Sequence, residues 1–218
     1  MPSDPLALAF DTSAAHCAAA LLRGGQILAA REEAVGTGQA ERLMPMLEEL
    51  LASGGLVWRD LDVIGVGVGP GNFTGMRISV AAARGLALSL GVPAVGVSRF
   101  EALAVDAPRP VLVAVEAPRG QNWLQVLHAE GAETAEQWPA GTVPEALHGS
   151  GIPVIGHGAA ALADATGGAA ADPVHPLAVA IARIAQARRA TPGPRPAPLY
   201  LRPADAAPPS EPPPVLVP

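Results

Sequence analysis

The stretch that most constrains this chain is Gly69-Pro-Gly-Asn-Phe-Thr-Gly-Met-Arg77, set between an alternating apolar run, Val63 to Val68, and an almost uniformly apolar one, Ile78 to Leu90. That order predicts a strand, a tight turn and a buried helix. Gly69, Gly71 and Gly75 allow backbone angles closed to other residues, Pro70 fixes one φ, and Thr74 is placed to cap the helix. Bare amides then gather at a helix N-terminus, where an anion or a partner's carboxylate can sit. On geometry alone a second use is open: a strand-to-helix corner that holds no ligand.

The helix past that corner has few polar breaks, namely Arg77, Ser79, Arg84 and Ser89. Such a helix needs cover on two sides, from its own sheet and from something else. Ala81 and Gly85 are four apart on one face, where their small size lets another helix approach closely. An earlier helix is expected from Gln39, with Leu43, Leu47, Leu50 and Leu51 facing the sheet and Met44 and Met46 off that stripe. Pro45 is tolerable there near the first turn or at a kink. Methionine on a second apolar face suits an adaptable partner surface, so these two helices are expected to form a dimerisation face.

Composition narrows the function classes. The net charge is -6 and every one of the 14 basic residues is Arg, so bulk electrostatic binding of a nucleic-acid backbone is excluded. Any RNA role needs a basic partner. Cys17 is the single cysteine, which excludes an internal disulfide and a multi-Cys zinc site and fits a reducing compartment. Apolar residues make up 50% of the chain but aromatic ones 3%, so cores of Ala, Val and Leu are expected. The N-terminus lacks a basic n-region, and Arg84, Gly91 and Pro93 break the longest apolar segment. A cytoplasmic protein with no membrane span is expected.

Leu6 to Phe10 reads as a first strand ending at Asp11-Thr12-Ser13, followed by a hairpin, Cys17 to Leu22 and Gln26 to Ala30. Ala94 to Val97 is another strand. A shift in composition at Asp106 to Pro110 marks a boundary, beyond which Val111 to Val115 and Trp123 to His128 read as strands. Pro153 to Ala159 repeats the strand, glycine turn and helix order. Asp172-Pro173 should open a last helix with Leu177, Ile181 and Ile184 buried, ending near Arg188-Arg189. The expected domains are an N-terminal lobe over 1–105, a smaller α/β lobe over 106–200, and a proline-rich, extended or disordered tail over 201–218.

Four pieces in this order and spacing resemble the TsaB (YeaZ) family: Phe10-Asp-Thr-Ser13 with its hairpin, the Gly69 to Arg77 corner, Gly96-Val-Ser-Arg-Phe-Glu-Ala-Leu103, and Leu199-Tyr-Leu-Arg-Pro203. The likeness is strong over about residues 5 to 105 and loose beyond. It implies an α/β, actin-like and ribonuclease-H-like fold of two lobes with mixed sheets flanked by helices. It implies a non-catalytic subunit in the synthesis of N6-threonylcarbamoyladenosine on tRNA, paired with a TsaD-type catalytic subunit and, through that complex, with a TsaE-type ATPase. It also implies self-pairing through the same helical face, and contact with tRNA only through the complex. Glu41 and Arg42 are expected at the rim of that interface, with Met44, Met46, Ala81 and Gly85 nearer its centre and Gly69, Gly71, Thr74 and Arg77 alongside.

The catalytic relative holds a metal by two histidines one helical turn apart, and Arg99 and Leu103 stand at those positions here. Neither binds a divalent metal, so no catalytic residue, metal or cofactor is assigned. Asp11, Thr12 and Ser13 occupy the place of a phosphate turn without its usual glycines, as a relic. Two further departures are Glu116-Ala-Pro-Arg119, where the family has Asp-Ala-Arg, and Gln39, where a His is common. The alternative function on the same fold is an independent small-molecule kinase or glycopeptidase, which needs a complete phosphate or metal constellation.

Overall fold

The computed structural model describes residues 4–201, so all of the proposed tail but Leu201 lies outside the described residues. Two mixed sheets organise the chain. The first has five strands: β1 (Leu6–Asp11), β2 (His16–Arg23), β3 (Gln26–Ala34), β4 (Val63–Gly67) and β5 (Ala94–Val97), in the order β3-β2-β1-β4-β5. β1, β2 and β3 pair antiparallel as the expected hairpin, while β4 and β5 add parallel to β1.

Alternation along β1 decides which helices lie on which face. Leu6, Leu8 and Phe10 point into a core with α1 (Gln39–Ser53) and α2 (Phe73–Leu90). Ala7 and Ala9 point the other way, and their small size brings α5 (Leu177–Arg188) close to the sheet. Gly65 of β4 completes that approach, because a Cβ there would stand 2.9 Å from the Ala185 methyl. The bare strand face and the alanine-rich helix are therefore one fitted contact.

The second sheet contains β6 (Val111–Ala117), β7 (Gln121–His128), β8 (Gly131–Ala132), β9 (Glu136–Pro139), β10 (Val154–Gly156) and β11 (Ala170–Ala171). Its order is β11-β10-β6-β7-β8, with β9 also on β7. α3 (Arg99–Leu103) links the sheets, and α4 (Ala159–Thr166) covers the second one, with Leu162 and Ala163 in its core. This is the α/β two-lobe, actin-like architecture that the four motifs imply.

Four expectations are corrected. Residues 106–200 do not form one lobe, because α5 returns to pack on the first sheet. That helix begins at Leu177 rather than at Asp172, since Pro176 follows His175 and biases it away from helical angles. Asn72, not Thr74, caps α2, its side-chain carbonyl accepting from the Gly75 amide at 3.0 Å. Met46 is wholly buried against the first sheet, so it cannot lie in an interface. Its position three residues after Leu43 and four before Leu50 puts it on the sheet-facing stripe.

Past α5 the chain runs as an extended strap across the β5 edge. Pro196 is buried against Gly96, the Leu199 amide donates to the Val68 carbonyl at 2.8 Å, and Tyr200 reaches α2. Among the described residues no helix is long and apolar enough to cross a membrane.

Candidate functional site

Two regions bear on function: the cleft between the lobes, and the outward face of α1 and α2. The cleft is a cavity of ≈ 430 Å³ lined among others by Ser13, Asn72, Arg99, Glu116, Trp123 and His157. It opens where the first strand's turn, the glycine corner and the β6–β7 turn converge.

Within it the Asp11 turn and the glycine corner are locked together. Thr12 Oγ1 donates to the Gly75 carbonyl at 2.7 Å, and the Asn72 amide donates to the Ser13 carbonyl. A Cβ on Gly75 would overlap the Thr12 carbonyl, and one on Gly71 the Ser13 carbonyl. Gly69, at φ +98, is buried and accepts from the Arg99 amide at 2.7 Å. The glycines thus serve close approach between two turns. Gly69 belongs to this inner joint and not to an outer surface, which corrects its placement at an interface; Gly71 is exposed and lines the cleft, and Thr74 is exposed in the first turn of α2.

Asp11 is 2% exposed, and its Oδ1 accepts from the Ser13 amide and the Ser13 hydroxyl, both at 2.9 Å, and from His16 Nε2 at 2.8 Å. Burial pushes the carboxyl pKa up, but the His16 hydrogen bond and charge and the two Ser13 donors outweigh it and hold it below the ordinary value. His16 Nδ1 in turn lies 3.5 Å from Glu32. The Asp11-Thr12-Ser13 turn is thereby engaged with its own lobe: Asp11 with His16, Thr12 with α2, and Ser13 with Asp11. His16 is the member that sequence reading missed. Its place at the start of β2, five residues after Asp11 across a tight turn, is the signal that could have found it.

Arg99 is the first residue of α3 and Leu103 the last, and among the described residues no group of three or more His, Cys, Asp or Glu converges. His128 and His175 each bond a carboxylate instead, Glu133 and Asp106 respectively, at 2.8 Å.

The outward face differs in character. Ala81 and Gly85 are exposed, nothing lies within 4 Å of where a Gly85 Cβ would stand, and Leu88 is 82% exposed. The strap covers part of this face: Pro198 and Tyr200 border Arg77, Val80, Ala81 and Arg84 around a groove of ≈ 410 Å³. On α1, Met44 is half-buried and Glu41 exposed. Arg42 is tied to Glu33 at 2.6 Å and to Glu49 at 2.8 Å, and Arg31 also reaches Glu49. Those guanidinium hydrogen bonds hold the Glu49 carboxyl at about 2. Arg42 therefore braces α1 against β3.

A family model described as TsaD, tRNA N6-adenosine threonylcarbamoyltransferase, matches residues 33–139. The chain is 34% identical over 148 residues to the Escherichia coli protein "tRNA threonylcarbamoyladenosine biosynthesis protein TsaB", a stretch covering 65% of this chain and 64% of that one. It is 39% identical over 97 residues to the Haemophilus influenzae protein of the same name, covering 44% and 41%. The chain thus spans less than two thirds of the length of either relative. The solved structure "YeaZ from Pseudomonas aeruginosa" superposes with a TM-score of 0.71 at 27% identity, covering 90% of this chain and 100% of that one.

Proposed function

This chain belongs to the TsaB (YeaZ) family, and from that premise we propose that it is a non-catalytic subunit of the machinery that makes N6-threonylcarbamoyladenosine on tRNA. It docks a TsaD-type catalytic subunit through the outward strip of α2 with the neighbouring part of α1, and a TsaE-type ATPase and tRNA join through that complex. A second copy of the chain competes for the same face.

The observation that carries this reading is the exposed strip Ala81, Gly85 and Leu88, continued by Phe73 beside Arg77 and Tyr200, on a helix whose other face is core. Exposed apolar groups beside a glycine with open space above it suit close helix-on-helix packing, which draws its free energy from apolar burial at the contact. Two features of the cleft support a subunit without chemistry of its own. Asp11 is engaged by His16 and Ser13, and Arg99 stands where the resemblance places a metal ligand. The test is a reconstituted modification assay with substrate tRNA, MgATP, an activated threonylcarbamoyl donor, purified TsaD-type subunit and TsaE-type ATPase, with and without this chain. Modified adenosine should form when the chain is present and fall to background without it. Equal yield in both arms contradicts the proposal.

A further inference from the structure

The strap makes a contact that the docking strip alone does not explain. Arg77 Nε donates to the Tyr200 hydroxyl at 2.8 Å, across 123 positions of sequence. The same guanidinium carbon lies 3.7 Å from the Phe73 ring centroid and 5.8 Å from that of Tyr200, and the two rings are 5.2 Å apart. Both rings are exposed, at 42% for Phe73 and 45% for Tyr200. One hydrogen bond and two ring contacts fix a side chain that would otherwise sample many rotamers. With Nε taken by Tyr200, the two terminal nitrogens are left, and among the described residues neither has a hydrogen-bond partner. A planar fork held in this way matches a carboxylate.

The surroundings agree in charge. The groove beside Tyr200 is lined by Val80 and Ala81 together with Arg77 and Arg84. α2 itself carries no acidic residue, although the chain as a whole has a net charge of -6. This groove is a local basic island on an acidic protein.

We infer that Phe73, Arg77 and Tyr200 form a preorganised receptor for an acidic side chain of the catalytic subunit, with Arg77 the specificity-determining contact and Tyr200 its positioning residue. The inference rests on the docking proposed above and deepens it. It gives the C-terminal Leu199-Tyr-Leu-Arg motif a task, namely to bring Tyr200 back onto α2. A fixed fork weakens association less by lost entropy than a mobile one, and it rejects a partner that offers an apolar or basic group at this point.

The experiment is a calorimetric titration of the full chain with purified TsaD-type subunit at low and high salt. It compares the wild type with Arg77→Gln, Arg77→Lys, Tyr200→Phe and Gly85→Leu, each first shown to melt no lower than the wild type. Arg77→Gln should raise Kd about tenfold, with a smaller effect at high salt, because a charge pair is lost. Arg77→Lys, which keeps charge and loses the fork, should fall between, and Tyr200→Phe, which keeps the ring and loses the hydroxyl, should raise Kd about threefold. Wild-type affinity for all three, beside a clear loss in Gly85→Leu, overturns the inference and leaves the docking reading standing. Wild-type affinity for Gly85→Leu as well overturns both. If Arg77→Gln instead weakens only self-association, the occupant is a second copy and the inference fails.

Discussion

The same substitution at two glycines of α2 should move stability in opposite directions. Intrinsic helix preference favours alanine over glycine by up to about 1 kcal/mol, and it acts on both Gly75→Ala and Gly85→Ala. At Gly85 nothing lies within 4 Å of the new methyl, so that preference should appear as a gain. At Gly75 the methyl overlaps the Thr12 carbonyl, whose residue also donates through Oγ1 to the Gly75 carbonyl at 2.7 Å. Overpacking costs about 1–3 kcal/mol and the strained hydrogen bond about 1 kcal/mol more. After subtracting the helix preference, Gly75→Ala should lose about 1–3 kcal/mol. For a chain of this size about 1 kcal/mol shifts the melting temperature by about 2–4 °C. Calorimetric melts should therefore place Gly85→Ala about 2–4 °C above the wild type and Gly75→Ala at least about 2 °C below it. Two equal upward shifts would refute the claim that the glycine corner exists for close approach to the Asp11 turn.

Three further outcomes follow from named contacts. Asp11→Asn should cost about 1.5–3 kcal/mol, since it removes the charged acceptor of His16 and Ser13. Because folding lowers the Asp11 pKa, its contribution is fully present above the unfolded carboxyl value and is lost as pH falls through the lower folded one. Urea titrations between about pH 5 and about pH 2 should show a shallower decline in the Asn variant, and parallel curves would contradict the assignment. Met46→Ala should lose about 2–5 kcal/mol from the buried core, whereas Met44→Ala should lose less and weaken partner binding; chemical denaturation and a pull-down separate the two. Calorimetric titration with MgATP should show no micromolar binding to the isolated chain, because Asp11 is already engaged by His16 and Ser13; micromolar affinity would reverse that reading.

Local features of the fold were legible in the sequence, and contacts between distant segments were not. Leu6 to Phe10 is legible as an apolar strand and Gly69 to Arg77 as the corner, while the division of Leu6, Leu8 and Phe10 from Ala7 and Ala9 between two cores depends on the helices that cover each face. Met46 follows the helical period of the buried stripe, but Leu43, Leu47, Leu50 and Leu51 alone define a narrower stripe that leaves it out. At the start of α5 the local signals conflict, since Asp172-Pro173 has the pattern of a cap while Pro176, three residues after Pro173, holds the chain extended. That α5 crosses back to the first sheet has no local signal; the fit of Ala185 to Gly65 exists only once both elements are in place. The site divides in the same way. Asp11 and the glycines were visible as a turn and a corner, but their union through Thr12 and His16, and the pairing of Tyr200 with Arg77, depend on residues that only folding brings together.

The central claim is that the outward strip of α2 is a docking face, and one measurement addresses it most directly. Light scattering on this chain mixed with the TsaD-type subunit should give a defined complex. Gly85→Leu, placed in open space where the monomer tolerates it, should abolish that complex while circular dichroism stays unchanged. A complex of the same mass and affinity with Leu at that position would contradict the account.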